Sequence, residues 1–208
     1  MNIALIRHAQ AYKNIENKHG GPGTHLTPYG VKQAKKCFAE LPCVKGFKRV
    51  YSTKSLQCIK TMNLFKSVST ATQVVLDREY RFNLGVLDGL SEEDCRIQYP
   101  EVASNVEAWR RQELEICDLN IPNATCSSDF YKRSEKLLEK VTKSGEDVVL
   151  FGTRSVLICL TNILLGRTPE KGGNYREIIW SNCGWVLFEA LEDKNVLVES
   201  SGVGIWKI

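Results

Sequence analysis

The chain has 208 residues, 43% of them hydrophobic and 25% charged, with a formal net charge of +4, a balance that suits one domain with a substantial core. Lys and Arg are spread along the chain, so a dedicated nucleic-acid surface is not implied. No apolar run approaches the roughly 20 residues that crossing a bilayer needs, which excludes a membrane span.

The eight cysteines are scattered singly, with no Cys-x-x-Cys pair and no signal peptide ahead of them. They read as reduced thiols of a cytoplasmic protein, several of them in the core, rather than as a disulfide frame or a metal site.

In chain order, residues 2–6 form an apolar run that breaks off at Arg7-His8. This predicts a buried strand that delivers a cation and an imidazole to its carboxyl end, where ligand crevices form in open α/β sheets. Residues 9–25 are polar and glycine-bearing and predict a long loop over the strand ends. A helix starts at Thr27-Pro28, with Thr27 as cap and Pro28 in the first turn; Val31, Ala34, Phe38 and Leu41 recur at helical spacing before Pro42. Residues 49–53 predict a short strand and turn, 56–65 an amphipathic helix with Gln57 at its amino-terminal end, and 72–76 another strand. A turn-rich connection over 78–89 leads to Ser91, which is followed by Glu92, Glu93 and Asp94. That is a helix start, because acids suit the positive end of the helix dipole.

The helical pattern continues through Trp109 to Leu114 with a break at Pro100, lapses over 120–127 and returns over 128–143. Residues 148–151 are a buried strand ending at Gly152-Thr153-Arg154-Ser155, and 156–165 are the helix behind it, stopped by Gly166. Residues 178–180, 185–188 and 195–199 read as strands joined by turns. Strands alternating with helices predict an α/β fold, a three-layer α/β/α sandwich around a mostly parallel sheet, as one domain over 1–208.

Five blocks in this order carry a resemblance: L-I-R-H-A-Q-A-Y-K-N, L-T-P-Y-G-V-K-Q-A, V-Y-S-T-K-S-L-Q-C-I-K-T, G-V-L-D-G-L-S-E-E and D-V-V-L-F-G-T-R-S-V-L. Together they resemble the histidine phosphatase superfamily, also called phosphoglycerate mutase-like. The resemblance implies that a neutral histidine attacks phosphorus and becomes a phosphohistidine, while two arginines and a second histidine hold the phosphoryl oxygens. It also implies a carboxylic acid that protonates the leaving oxygen, and a cap or insert over the pocket at 90–127.

Carried over residue by residue, those roles are half kept. His8 matches the nucleophile, Arg7 the first arginine, and Asn14 a loop asparagine that helps to hold phosphate. The second arginine falls on Gln57, four before Thr61, where an amide donates hydrogen bonds without charge. The acid falls on Arg81, four before Gly85, where a permanent cation replaces a proton donor. The second histidine falls on Thr153, with Arg154 adjacent. Losing one fixed donor costs on the order of 10²- to 10³-fold in rate, and losing a general acid about 10²- to 10⁴-fold. Turnover should therefore suffer more than binding, and Arg7, Asn14, Gln57, Thr153, Arg81 and Arg154 form the expected phosphate-binding set.

Several residues keep two readings. Arg81 is a pocket cation or a surface cation in a turn. Glu79 and Asp88 are carboxylates able to protonate a leaving group after a loop rearrangement, or are solvated or structural. His19 and His25 lie in the loop, and either one replaces the missing histidine in space or stays at the surface. Arg133 reads as a packing or salt-bridge residue, and Trp109 and Phe130 as core or cap-lining aromatics.

The expectation is a histidine phosphatase-like domain that binds a phosphorylated small molecule or phosphoprotein at Arg7 and His8 and is catalytically impaired. As a pseudophosphatase or interaction module it would have a protein partner. The alternative is an active phosphatase, working through a phosphohistidine at His8 on compounds with good leaving groups such as acyl phosphates or phosphoramidates. Mutase activity is disfavoured, because returning phosphate needs the missing acid-base residue. No metal, cofactor, nucleic acid or membrane enters either reading.

Overall fold

The computed structural model describes residues 1–21, 23–42, 44–77, 80–111, 113–114, 118–167 and 178–204. Its strands are β1 (Asn2–Arg7), β2 (Arg49–Ser52), β3 (Thr72–Val75), β4 (Val148–Gly152), β5 (Ile179–Ala190) and β6 (Asn195–Gly204). Its helices are α1 (Tyr12–Ile15), α2 (Pro28–Glu40), α3 (Leu56–Phe65), α4 (Glu92–Gln98), α5 (Pro100–Arg110), α6 (Ser127–Thr142) and α7 (Arg154–Leu164). The strands form one six-stranded sheet in the order β3-β2-β4-β1-β5-β6. β1 runs parallel to β4, β4 to β2 and β2 to β3, whereas β5 is antiparallel to β1 and β6 to β5. The expected sandwich around a mostly parallel sheet is present.

Both faces of β1 are covered, which explains its unbroken apolar run. Ile3 and Leu5 pack on one face with Val148 and Leu150, against Phe130, Leu137 and Val141 of α6 and Val156 and Leu157 of α7. Ala4 and Ile6 pack on the other with Val149 and Phe151, against Ala34 and Phe38 of α2 and Met62 and Phe65 of α3. A strand buried on both faces has no solvent side on which to place polar residues. Phe38, Phe65 and Phe151 meet edge to face, with centroids 5.0, 5.6 and 5.9 Å apart, the geometry that ring quadrupoles favour.

Helix boundaries follow their local signals. Thr27 Oγ1 accepts from Gly30 N at 2.9 Å, and Ser91 with Asp94 closes a capping box at the start of α4. Pro100 separates α4 from α5 and opens α5 in its first turn.

Two expectations need correction. Residues 9–25 are not loop throughout: Asn14 Oδ1 accepts from Ala11 N at 2.9 Å and stabilises the single turn of α1. Residues 179–180 and 185–188 are not separate strands but parts of β5, which starts one residue after the expected 178 and whose register against β6 shifts between Trp180 and Trp185. Cys183 there has φ +57°, so the irregularity hides the strand's alternation.

Six cysteines lie among the described residues, and all are buried except Cys126. Among the described residues, no helix is long and apolar enough to cross a membrane. Glu79 lies outside the described residues.

Candidate functional site

β1, β4 and β2 end side by side, with Arg7 opposite Gly152 and Ser52 opposite Phe151. The segments that leave those ends enclose a cleft of about 260 Å³. β1 delivers Arg7 and His8, and the following loop with α1 adds Lys13, Asn14, His19 and Gly20. Ser55 and Gln57 come from the start of α3, Thr153, Arg154 and Ser155 from the start of α7, and Arg81 from the segment after β3. All seven site residues expected from the sequence therefore line one cavity. The first turn of an 11-residue helix contributes backbone N–H groups without intrahelical partners, and these with the helix dipole suit an anion.

His8 is 2% exposed, and its Nδ1 lies 2.8 Å from Ala9 O. A carbonyl oxygen only accepts, so Nδ1 carries the proton and Nε2 holds the lone pair of the neutral ring. Burial foremost, then the charges of Arg7 and Lys13, lower the pKa of His8 to about 3, against the Ala9 bond, which raises it. The backbone around it is fixed as firmly. His8 O accepts from Asn182 Nδ2 at 3.0 Å, and Ala9 N donates to Thr61 Oγ1 at 3.1 Å. Thr61 in turn donates to Gln57 O at 2.7 Å.

The other expected residues divide by what they already hold. Asn14 spends Oδ1 on Ala11 N at 2.9 Å and Asn182 Nδ2 at 3.3 Å, so the group left for a ligand is Nδ2. Gln57 is fully buried, and neither of its amide atoms has a hydrogen-bond partner; an unpaired buried amide is costly and calls for a ligand or water. A Cβ at Gly23, φ +95°, would sit 2.2 Å from Gln57 Oε1, so only glycine lets the loop close this tightly. Arg81 Nη2 donates to Asp88 Oδ2 at 2.6 Å, which makes Asp88 the partner of Arg81.

Lys13, Ser55, Glu92 and Arg110 also line the cleft, beyond the residues the sequence assigns to it. Lys13 stands one residue before Asn14 in the A-Y-K-N block, and its Nζ donates to Gly20 O at 2.7 Å. Burial, with Arg81 and Arg7 adding to it, lowers its pKa. Arg110 Nη1 lies 3.1 Å from Glu92 Oε1, while its buried Nε has no partner. Six Lys and Arg side chains line the cleft against one carboxylate, Glu92.

His19 also lines it, its pKa lowered by burial and then by Arg110. His25 is exposed and not part of the lining. Arg133 is outside too, with Nε donating to Asp129 O at 3.3 Å and its guanidinium over the Phe130 ring. Phe130 is core, and Trp109 is partly buried against it.

The histidine phosphatase superfamily (branch 1) matches the chain over residues 3–201. The chain belongs to this superfamily. A 2,3-bisphosphoglycerate-dependent phosphoglycerate mutase of Maricaulis maris is 31% identical over 115 residues, 52% of this chain and 46% of the mutase. The match thus spans about half the length of that curated relative. Among solved structures, a putative alpha-ribazole-5'-P phosphatase from Escherichia coli superimposes with a TM-score of 0.75 at 21% identity, covering 95% of each chain. A mycobacterial glucosyl-3-phosphoglycerate phosphatase in complex with VO3 gives 0.79 at 19%, covering 94% of this chain and 96% of that one. At those identities the likeness is one of fold. Arg7 and His8 stand at the end of β1 and Asn14 in α1, and Gln57, Arg81 and Thr153 line the same cleft.

Proposed function

We propose that the cleft binds a phosphomonoester, free or carried on a protein, and that its hydrolysis of unactivated esters is severely impaired. The observation that carries this reading is the Arg81–Asp88 ion pair at 2.6 Å, where the superfamily resemblance calls for a carboxylic acid. Transfer to His8 forms an N–P bond and breaks the P–O bond, and an alkoxide leaves slowly unless it is protonated. Asp88 is held by Arg81 and Glu92 by Arg110, so neither is placed as a free acid. Binding needs no proton: Arg7, Lys13 and Arg154, the amides of Asn14 and Gln57 and the Thr153 hydroxyl supply charge and donors.

A second reading, turnover restricted to good leaving groups, is favoured by the His8 ring, which is neutral and oriented by Ala9 with Nε2 unprotonated. The test compares an activated aryl phosphate with an alkyl phosphate, in the natural chain and in His8→Ala, and measures the melting temperature with inorganic phosphate. Phosphate should raise the melting temperature, and the alkyl ester should remain intact. His8-dependent hydrolysis of both esters at comparable rates would overturn the impaired reading, and turnover of the aryl ester alone would select the second.

Lys13 contributes a partly desolvated charge to the same site. Lys13→Met should weaken phosphate binding about ten-fold, read by calorimetry at constant ionic strength. An unchanged Kd would remove Lys13 from the anion site.

A further inference from the structure

We propose that the cationic cleft opens into an apolar side pocket that receives the organic part of the ligand, so that the preferred phosphomonoester carries an aromatic ring or a similarly compact apolar group. The inference rests on the anion-binding reading and names the substrate class of that site.

The side pocket holds about 80 Å³, and Phe82, Trp109, Leu119, Ile121, Phe130 and Ile158 form its apolar wall. It shares Phe82, Leu84, His19, Arg110, Arg154 and Ser155 with the cleft, so the two spaces adjoin along a common wall. The charges of Arg110 and Arg154 lie on that boundary. A phosphoryl group is therefore held on the cleft side while the rest of the molecule lies beyond it.

The volume is several times the ~10–15 Å³ that one water occupies, yet an apolar wall offers a water few of the hydrogen bonds it needs. Phe82 and Phe130 stand edge to face at 4.9 Å, a rigid aromatic surface of the kind against which rings pack. A sugar or glycerate moiety would bury hydroxyls there without partners, which is costly. The pocket therefore selects against polar organic groups as well as for apolar ones.

The experiment measures calorimetric binding of phenyl phosphate, glycerol 3-phosphate and inorganic phosphate to the natural chain and to Val106→Phe. Val106 lines the side pocket and not the cleft, and a phenyl group in its place fills the space. Phenyl phosphate should bind about ten- to a hundred-fold more tightly than inorganic phosphate, and glycerol 3-phosphate no more tightly. Val106→Phe should abolish the phenyl advantage and leave inorganic phosphate unchanged. If that variant does not fold, Trp109→Ala serves instead, and should shift preference from phenyl towards naphthyl phosphate. Inorganic phosphate binding without a phenyl advantage would overturn this inference alone. Failure of all three ligands to bind would overturn the anion-binding reading and this inference with it.

Discussion

The combined variant Gln57→Arg/Arg81→Glu/Thr153→His should hydrolyse an unactivated alkyl phosphate on the order of 10⁴-fold faster than the natural chain. The number is well below the product of the separate effects, because groups acting on one transition state are not additive. The structure favours the attempt at each position. Gln57, Arg81 and Thr153 already line the same cleft as His8, so the new groups enter where the reacting phosphoryl would sit. Removing Arg81 also releases Asp88, and two neighbouring carboxyls raise the pKa of one of them, which suits a proton donor. Steady-state hydrolysis of an alkyl phosphate checks this, with His8→Ala added as a fourth change to abolish it. No gain in a folded quadruple-checked series, meaning triple variant equal to natural chain, would show that these three positions are not what limits turnover.

The burial of neutral His8 should make stability fall in mild acid. Unfolded, its imidazole titrates near 6.5; folded, at about 3. Between those values the unfolded state takes up a proton that the native state refuses. The contribution is complete above pH 6.5 and is lost as the pH falls towards 3, by about 1.4 kcal/mol per pH unit, or roughly 3 kcal/mol by pH 4. Carboxylates titrate in the same range, so the informative quantity is the difference between the natural chain and His8→Asn. Urea denaturation at pH 7, 6, 5 and 4 should show the two stabilities diverging downwards, with the variant the flatter. Parallel curves would mean that His8 is not held neutral by its burial.

The large elements were legible because their causes are local. A strand covered on both faces becomes an unbroken apolar run, so β1 and β4 stood out, and the abrupt end of β1 pointed to Arg7 and His8. Thr27, Ser91 and Pro100 marked helix starts through capping and the fixed φ of proline. β5 reads as two strands in the sequence because the positive φ at Cys183 and the register shift against β6 interrupt the alternation that marks a strand. α1 leaves no mark in the sequence because four residues are too short to show a helical period.

The site divides in the same way. The seven residues picked out in the sequence line one cleft, since the Arg7-His8 pair and the ordered blocks place them at or just after the strand ends. Only the tertiary structure decided their company: that Lys13 and Arg110 add charge, that His19 and not His25 lines the cleft, that Asp88 is spent on Arg81, and that the Gln57 amide is left without a partner. The physical reason is range. Periodicity and capping act between residues a few positions apart, whereas the Arg110–Glu92 pair and the closure of the Gly23 loop on Gln57 depend on the packing of α5 and of the 9–25 segment, which no local pattern encodes.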